Sequence, residues 1–356
     1  MHPSISACAT SSHGRVGSIP RSPSARPRPP LLPPARGAGG ARSTPTSTST
    51  SATAGRADAV AVFSAKPYVR SFLEADLMTA FPASRLTDAH LRLETAPLAA
   101  GCASVVAFVN DDLSAPVLAA LAEAGVRLVA LRCAGYDKVD LAAAASLGVR
   151  LTRVPSYSPS SIAEHALALA LALNRHIPRA HARAREGDYE LSGLVGYEMK
   201  GKSVGIVGTG AIGTEAARLF AGIGCAVTAF DVRGVPADLV QAGISPAPDL
   251  PSLLASSDIV SLHVPLLPST RKMMDAAALA TLKPGAALIN VSRGALVDTA
   301  AVTRALEEGR MSGFAADVYE GEASLFFQDW GDASWASRVQ RGGWDPVLSY
   351  LLSFPK

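Results

Sequence analysis

Cysteine is scarce in this chain. The four present, Cys8, Cys102, Cys133 and Cys225, stand far apart and form no CxxC pair. That argues against a structural zinc or a disulfide framework and makes a reducing compartment the default; no metal is expected. Long apolar runs are missing too. The longest, residues 166–173, is eight residues and follows Glu164 and His165. A membrane span needs roughly 18, so a soluble globular protein with no membrane partner is expected. Acidic residues and lysine are absent from positions 1–57, which instead hold seven arginines and nine of the 25 prolines; the first acid is Asp58. The remaining chain sets 26 basic against 30 acidic residues, so the net charge of +3 belongs to the N-terminal stretch. It gives no reason to expect nucleic acid as a partner.

What is present fits two domains and a tail: 356 residues, 48% hydrophobic and 18% charged. Residues 1–57, crowded with Ser and Thr around 43–53, cannot bury enough apolar surface to offset their ordering entropy. Arg-rich, Ser-rich and acid-free, they read as a disordered targeting peptide. No apolar h-region is present for secretion. The prolines disfavour a long amphipathic helix, and the first fourteen residues lack arginine. A plastid address is therefore expected, with the mitochondrion as the alternative.

From Ala59 onward the chain alternates. Apolar strands at 60–64, 104–109, 127–132 and 149–154 are separated by helical stretches at 71–80, 116–124 and 141–147. One long helix is expected from 160 to about 185, opened by Ser158 and Pro159, and a second alternating series runs from 203 to 317. Strand–helix alternation implies parallel sheets flanked by helices.

Within the second series, an apolar strand at 203–207 runs straight into Gly208-Thr209-Gly210-Ala211-Ile212-Gly213. A helix pattern follows, then a strand at 226–230 ending in Asp231. Gly208 permits the tight turn, Gly210 lets backbone approach a pyrophosphate, and Gly213 lets helix pack on strand. The helix start offers N–H groups to phosphate. Asp231 can accept hydrogen bonds from both ribose hydroxyls and would repel a 2′-phosphate, so NAD is expected over NADP, a preference that Arg233 tempers. Further strands end in Asn290-Val291-Ser292-Arg293-Gly294 and in Asp317-Val318-Tyr319-Glu320-Gly321-Glu322. Ligands sit at such carboxyl ends. Arg293 can hold a substrate carboxylate bidentately; the plainer alternative is a surface arginine paired with Asp298 or Glu307.

Asp317 to Glu322, followed by Leu325-Phe326-Phe327-Gln328-Asp329-Trp330, resembles the D-2-hydroxyacid dehydrogenase family, and within it the D-lactate dehydrogenases. So do Arg132-Cys133-Ala134-Gly135-Tyr136-Asp137, and Val154-Pro155-Ser156-Tyr157-Ser158-Pro159 leading into Ile162-Ala163-Glu164-His165. The resemblance implies two doubly wound parallel-sheet α/β domains. A Rossmann NAD-binding domain, 158–322, would be inserted into a flavodoxin-like substrate domain made of 58–157 and 323–356. It implies reduction of pyruvate to D-lactate by hydride transfer from NADH. Ala134 and Gly135 would present amides to the carboxylate of a small 2-keto or 2-hydroxy acid, and Tyr157 would line the pocket. Ala211, Ile212, Asp231, Val264, Pro265, Thr270, Val291, Ser292 and Asp317 would fall at the cofactor, with Asp317 at the nicotinamide amide. Arg293 would be the catalytic arginine, and Glu322 would orient a catalytic histidine. A homodimer through the cofactor domain is implied, and the apolar face of 163–173 suits such a contact.

None of the seven histidines follows Arg293. In the family a histidine comes shortly after a segment resembling Leu351-Leu352-Ser353-Phe354-Pro355. The expectation is a dehydrogenase whose natural chain continues past Lys356. The alternatives are a catalytically inactive NAD(H)-binding relative, acting as redox sensor or interaction partner, and a glyoxylate or hydroxypyruvate reductase. His263 and His165 are expected to be a cofactor-side residue and a packed helix residue, respectively.

Overall fold

The computed structural model describes residues 59–321. The expected targeting peptide, Glu322 and the C-terminal part of the expected substrate domain lie outside the described residues.

The first unit runs β1 (Val60–Val62), α1 (Pro67–Ala80), β2 (Arg85–Leu86), β3 (Ser104–Ala107), α2 (Ala115–Glu123), β4 (Leu128–Leu131), α3 (Leu141–Ser146) and β5 (Arg150–Arg153). Every pairing is parallel, in the order β2-β1-β3-β4-β5, which is the flavodoxin-like arrangement. Two helices follow, α4 (Pro159–Asn174) and α5 (Ile177–Arg185). The second unit runs β6 (Ser203–Val207), α6 (Ala211–Gly222), β7 (Ala226–Phe230), α7 (Ala237–Gln241), β8 (Ser245–Pro246), α8 (Leu250–Ser256) and β9 (Ile259–Leu262). It continues with α9 (Ala276–Thr281), β10 (Ala286–Asn290), α10 (Thr299–Glu307) and β11 (Met311–Ala316). Its sheet is also all parallel, in the order β11-β10-β9-β6-β7-β8. Counted from its own first strand this is 3-2-1-4-5-6, the Rossmann order, with the reversal between β6 and β9.

Central parallel strands are covered on both faces and so are apolar throughout. In β10 all five residues are buried, and in β6 four of five. The edge strand β5, Arg-Leu-Thr-Arg, is mostly exposed, and its polar residues blunt an open edge. Four helices start on the same device. Asp140, Asp249, Asp275 and Asp298 accept from the backbone N–H of Ala143, Ser252, Ala278 and Ala301, each such cap worth about 1 kcal/mol.

The expected long helix is two helices. His176 takes a left-handed conformation, φ 51°, between α4 and α5. Pro178 lacks an N–H and its ring would strike the carbonyl a turn earlier, so α4 ends at Asn174. That side chain stitches the break shut, donating to the Tyr197 carbonyl at 2.8 Å and accepting the Tyr197 N–H at 2.9 Å. The apolar face of α4 also differs from expectation. Ala163, Ala166 and Ala170 are buried against Val204, Ile206 and Phe220 of their own unit, so this small-residue side is spent on the core. Among the described residues no helix is long and apolar enough to cross a membrane.

Candidate functional site

The carboxyl ends of β6, β7, β9 and β10 surround the reversal of the second sheet. Gly208 has φ 94°, and a Cβ there would lie 2.5 Å from the His263 carbonyl oxygen and 2.7 Å from Val264 Cγ1. A Cβ on Gly213 would overlap the Gly208 carbonyl oxygen. Both glycines are therefore required by close approach, as their spacing suggests. Gly210 is different. Nothing lies within 4 Å of where its Cβ would be, and it begins α6 without a side-chain cap. An open glycine before an uncapped helix start, with Ala211 exposed and Ile212 half-buried, leaves room and donors for phosphate.

Asp231 stands at the end of β7, its side chain 9% exposed. It accepts the Thr209 N–H at 2.8 Å and the Arg233 N–H at 2.9 Å. Burial pushes its carboxyl up, but those two N–H groups and the Arg233 guanidinium outweigh burial and hold it below the usual range. It is an ionised acceptor, the form a ribose diol requires. The open glycine, the uncapped helix and the ionised carboxylate together fit an NAD molecule.

His263, after β9, is bonded through Nε2 to Ser261 Oγ at 2.9 Å, and its buried Nδ1 has no partner among the described residues. Burial pushes its imidazole down to about 4. A proton donor works best near the operating pH, so His263 is a fixed neutral group beside Gly208 and Gly213, in line with a cofactor-side place. Thr270 spends its hydroxyl on its own turn, donating to the Pro265 carbonyl at 2.7 Å and accepting the Leu267 N–H at 2.8 Å.

Beyond β10 the chain turns sharply, and the fully buried Asn290 shapes that turn. Its Oδ1 accepts the Ser292 N–H at 3.1 Å and its Nδ2 donates to the Arg293 carbonyl at 2.9 Å. Ser292 Oγ donates to the Leu262 carbonyl at 2.8 Å, while Val291 is buried. So fixed, Arg293 reaches to the loop after β4. Its Nε donates to Asp137 Oδ1 at 3.2 Å and its Nη1 to the Ser292 carbonyl at 2.8 Å; a Cβ on Gly135 would overlap its Nη2. The plainer alternative, a pairing with Asp298 or Glu307, is not formed among the described residues. Asp298 caps α10 and pairs with Lys272 at 3.3 Å.

Gly135 and Arg293, 158 positions apart by number, are thus in contact, and Asp137 joins them. Ala134 lies beside Gly135, its carbonyl accepting from Arg153 at 3.1 Å. Tyr157 stands 54% exposed. Gly294 lies against the Tyr319 carbonyl, where a Cβ would overlap it. Lys272 then holds Glu320 at 3.1 Å, and Glu320 accepts the Thr299 hydroxyl at 3.0 Å. These contacts fasten the segment after β11 beside Arg293. Asp317 at its head lies 3.4 Å from His165 Nε2; burial raises its carboxyl, opposed by His165. His165 is exposed on α4 and faces a carboxylate, where the sequence suggested a packed residue. Sequence reasoning missed Asp137, Asn290 and Lys272 as parts of the site. Asp137 and Asn290 stand inside the motifs that carry Gly135 and Arg293.

Residues 167–333 match the model of the D-isomer specific 2-hydroxyacid dehydrogenase, NAD binding domain. The chain is 42% identical over 270 residues to the D-lactate dehydrogenase of Escherichia coli, covering 76% of this chain and 82% of that one. Its structure resembles that of the pyruvate reductase of Chlamydomonas reinhardtii, with TM-score 0.76 and 49% identity over 85% of this chain and 88% of that one. It also resembles the D-lactate dehydrogenase of Aquifex aeolicus complexed with NAD and lactic acid, with TM-score 0.71 and 27% identity over 83% and 85% of the two chains.

Proposed function

The chain belongs to the D-isomer specific 2-hydroxyacid dehydrogenases, NAD-dependent oxidoreductases, and from that premise we propose that it reduces pyruvate to D-lactate where Arg293 meets Gly135. The observation that carries this reading is the Arg293 guanidinium lying directly against the loop that holds Ala134 and Gly135. The guanidinium beside that loop would meet a 2-keto acid whose carboxylate took the loop's backbone N–H groups. The carboxylate takes the amides, and Arg293 draws electron density from the keto oxygen. Bound NADH supplies the hydride to the keto carbon. Asp231 would hold the adenosine ribose, and Gly210, Ala211 and Ile212 would face the phosphates. Val264, Pro265, Thr270, Val291 and Ser292 would line the rest of the cofactor's path, and Asp317 would meet its carboxamide. By the family resemblance the proton would reach the new alkoxide from a histidine oriented by Glu322; Glu322 lies outside the described residues, and no histidine follows Arg293 in this sequence.

The test is NADH oxidation on addition of pyruvate, with the product resolved by enantiomer. Arg293→Ala is expected to lower kcat/KM about 10³-fold or more while NADH still binds. Unchanged turnover in that variant, or L-lactate as product, would sink the assignment.

The Arg-rich, acid-free residues 1–57 support a plastid address. A fluorescent reporter carrying them is expected in plastids, and retention in the cytosol would refute it. A homodimer through the cofactor domain is also proposed. Its support is the exposed apolar surface on α5 and the segment after it: Ile177, Tyr189, Leu191 and Val195, the last 86% exposed.

A further inference from the structure

The Arg293–Asp137 pair joins a side chain after β10 in the second sheet to one after β4 in the first. The pair is open to solvent, with side-chain exposures of 35% and 26%. The pair is also asymmetric. Asp137 takes only Nε, and the Ser292 carbonyl takes Nη1. Nη2 is the atom that sits where a Gly135 side chain would be. A guanidinium is a rigid plane with five N–H groups in a fixed fork. Holding its Nε edge and one Nη corner therefore dictates where the other corner points, and that corner faces the Ala134–Gly135 backbone.

From this geometry we infer that Asp137 is a positioning residue for the reaction: it anchors Arg293 through Nε so that the Nη2 corner is aimed at the 2-keto acid. The inference rests on the substrate reading of Arg293 given above. Two features distinguish this contact from an ordinary surface pair. The contact spans the two sheets, so it forms only when the β4 loop and the β10 loop are brought together. It also sits two residues from the glycine whose missing side chain makes room for the guanidinium. Arginine has many rotamers, and fixing one in advance spares the substrate the cost of ordering it. The opposing possibility is competition, in which the Asp137 carboxylate occupies the guanidinium and a substrate must displace it. The two differ in sign.

The experiment is titration of the full chain, saturated with NADH, with oxamate, an unreactive pyruvate analogue, alongside pyruvate kinetics. Asp137→Ala is expected to weaken oxamate binding about tenfold and to lower kcat as well as raise KM. Asp137→Asn keeps an oxygen for Nε and is expected to recover binding to within about threefold. NADH affinity, read by fluorescence, reports folding of the cofactor unit in each variant. Equal or tighter oxamate binding by Asp137→Ala, with Arg293→Ala losing it, overturns the inference and leaves the site reading intact. Oxamate binding that survives Arg293→Ala overturns the site reading itself.

Discussion

Asp258 fastens the start of β6 to the start of β9. Its Oδ2 accepts the N–H and the hydroxyl of Ser203, at 2.9 and 2.8 Å, and its Oδ1 meets Lys283 Nζ at 2.5 Å. Burial alone pushes this carboxyl up. The Lys283 ammonium and the two Ser203 donors outweigh burial and hold it at about 2, against 3.8 when unfolded. A folded value below the unfolded one means the unfolded chain binds protons first as pH falls. The stabilisation is therefore whole above pH 4 and is lost as pH drops through 2. Its size is about 1–2 kcal/mol once solvent screening is allowed for. Asp258→Asn is expected to lower the urea midpoint at pH 7 and to converge with the parent near pH 2, and a gap independent of pH would refute this. At this scale the sequence was legible where one backbone demand fixes one residue, as at Gly208 and Gly213. It was not legible at Asp137, because a carboxylate in a loop carries no mark of a partner 156 positions away.

Elements were legible in proportion to their period. The strands β6 and β7 fall on the residues their apolar runs define. The two-residue edge strands β2 and β8 are too short to show alternation, and they exist because a neighbour's open edge accepts them. The α4–α5 break was hidden because residues 160–185 keep a helical apolar pattern across Pro178. A proline is also at home in the first turn of a new helix, so the same residue is compatible with both readings. What decides is Asn174, whose side chain is buried and bonded to Tyr197 in both directions. That pairing brings in chain more than twenty residues on, beyond any local pattern.

At the scale of the whole molecule, the alternation of strands and helices made two parallel sheets readable, and the fingerprint showed which of them takes the cofactor. Which strands lie side by side was implied only through the family resemblance. Surface between copies is a property of this scale as well. Tyr189, Leu191 and Val195 are 79%, 74% and 86% exposed, apolar area that a lone chain leaves in water. Light scattering is expected to return twice the 36.6 kDa chain mass, and Leu191→Asp with Val195→Asp to shift it toward one. A parent protein at the single-chain mass would refute the dimer. One more consequence follows from the order of strands in the second sheet. As the chain leaves the ribosome, β6, β7 and β8 can pair as they appear. The far edge of β6 stays open until residues 259–262 arrive to become β9, and β10 and β11 must then add outward in turn. The half-built sheet thus carries an apolar, unpaired edge through its own synthesis. This enzyme is most in need of a chaperone midway through its chain, well before the dinucleotide crevice is complete.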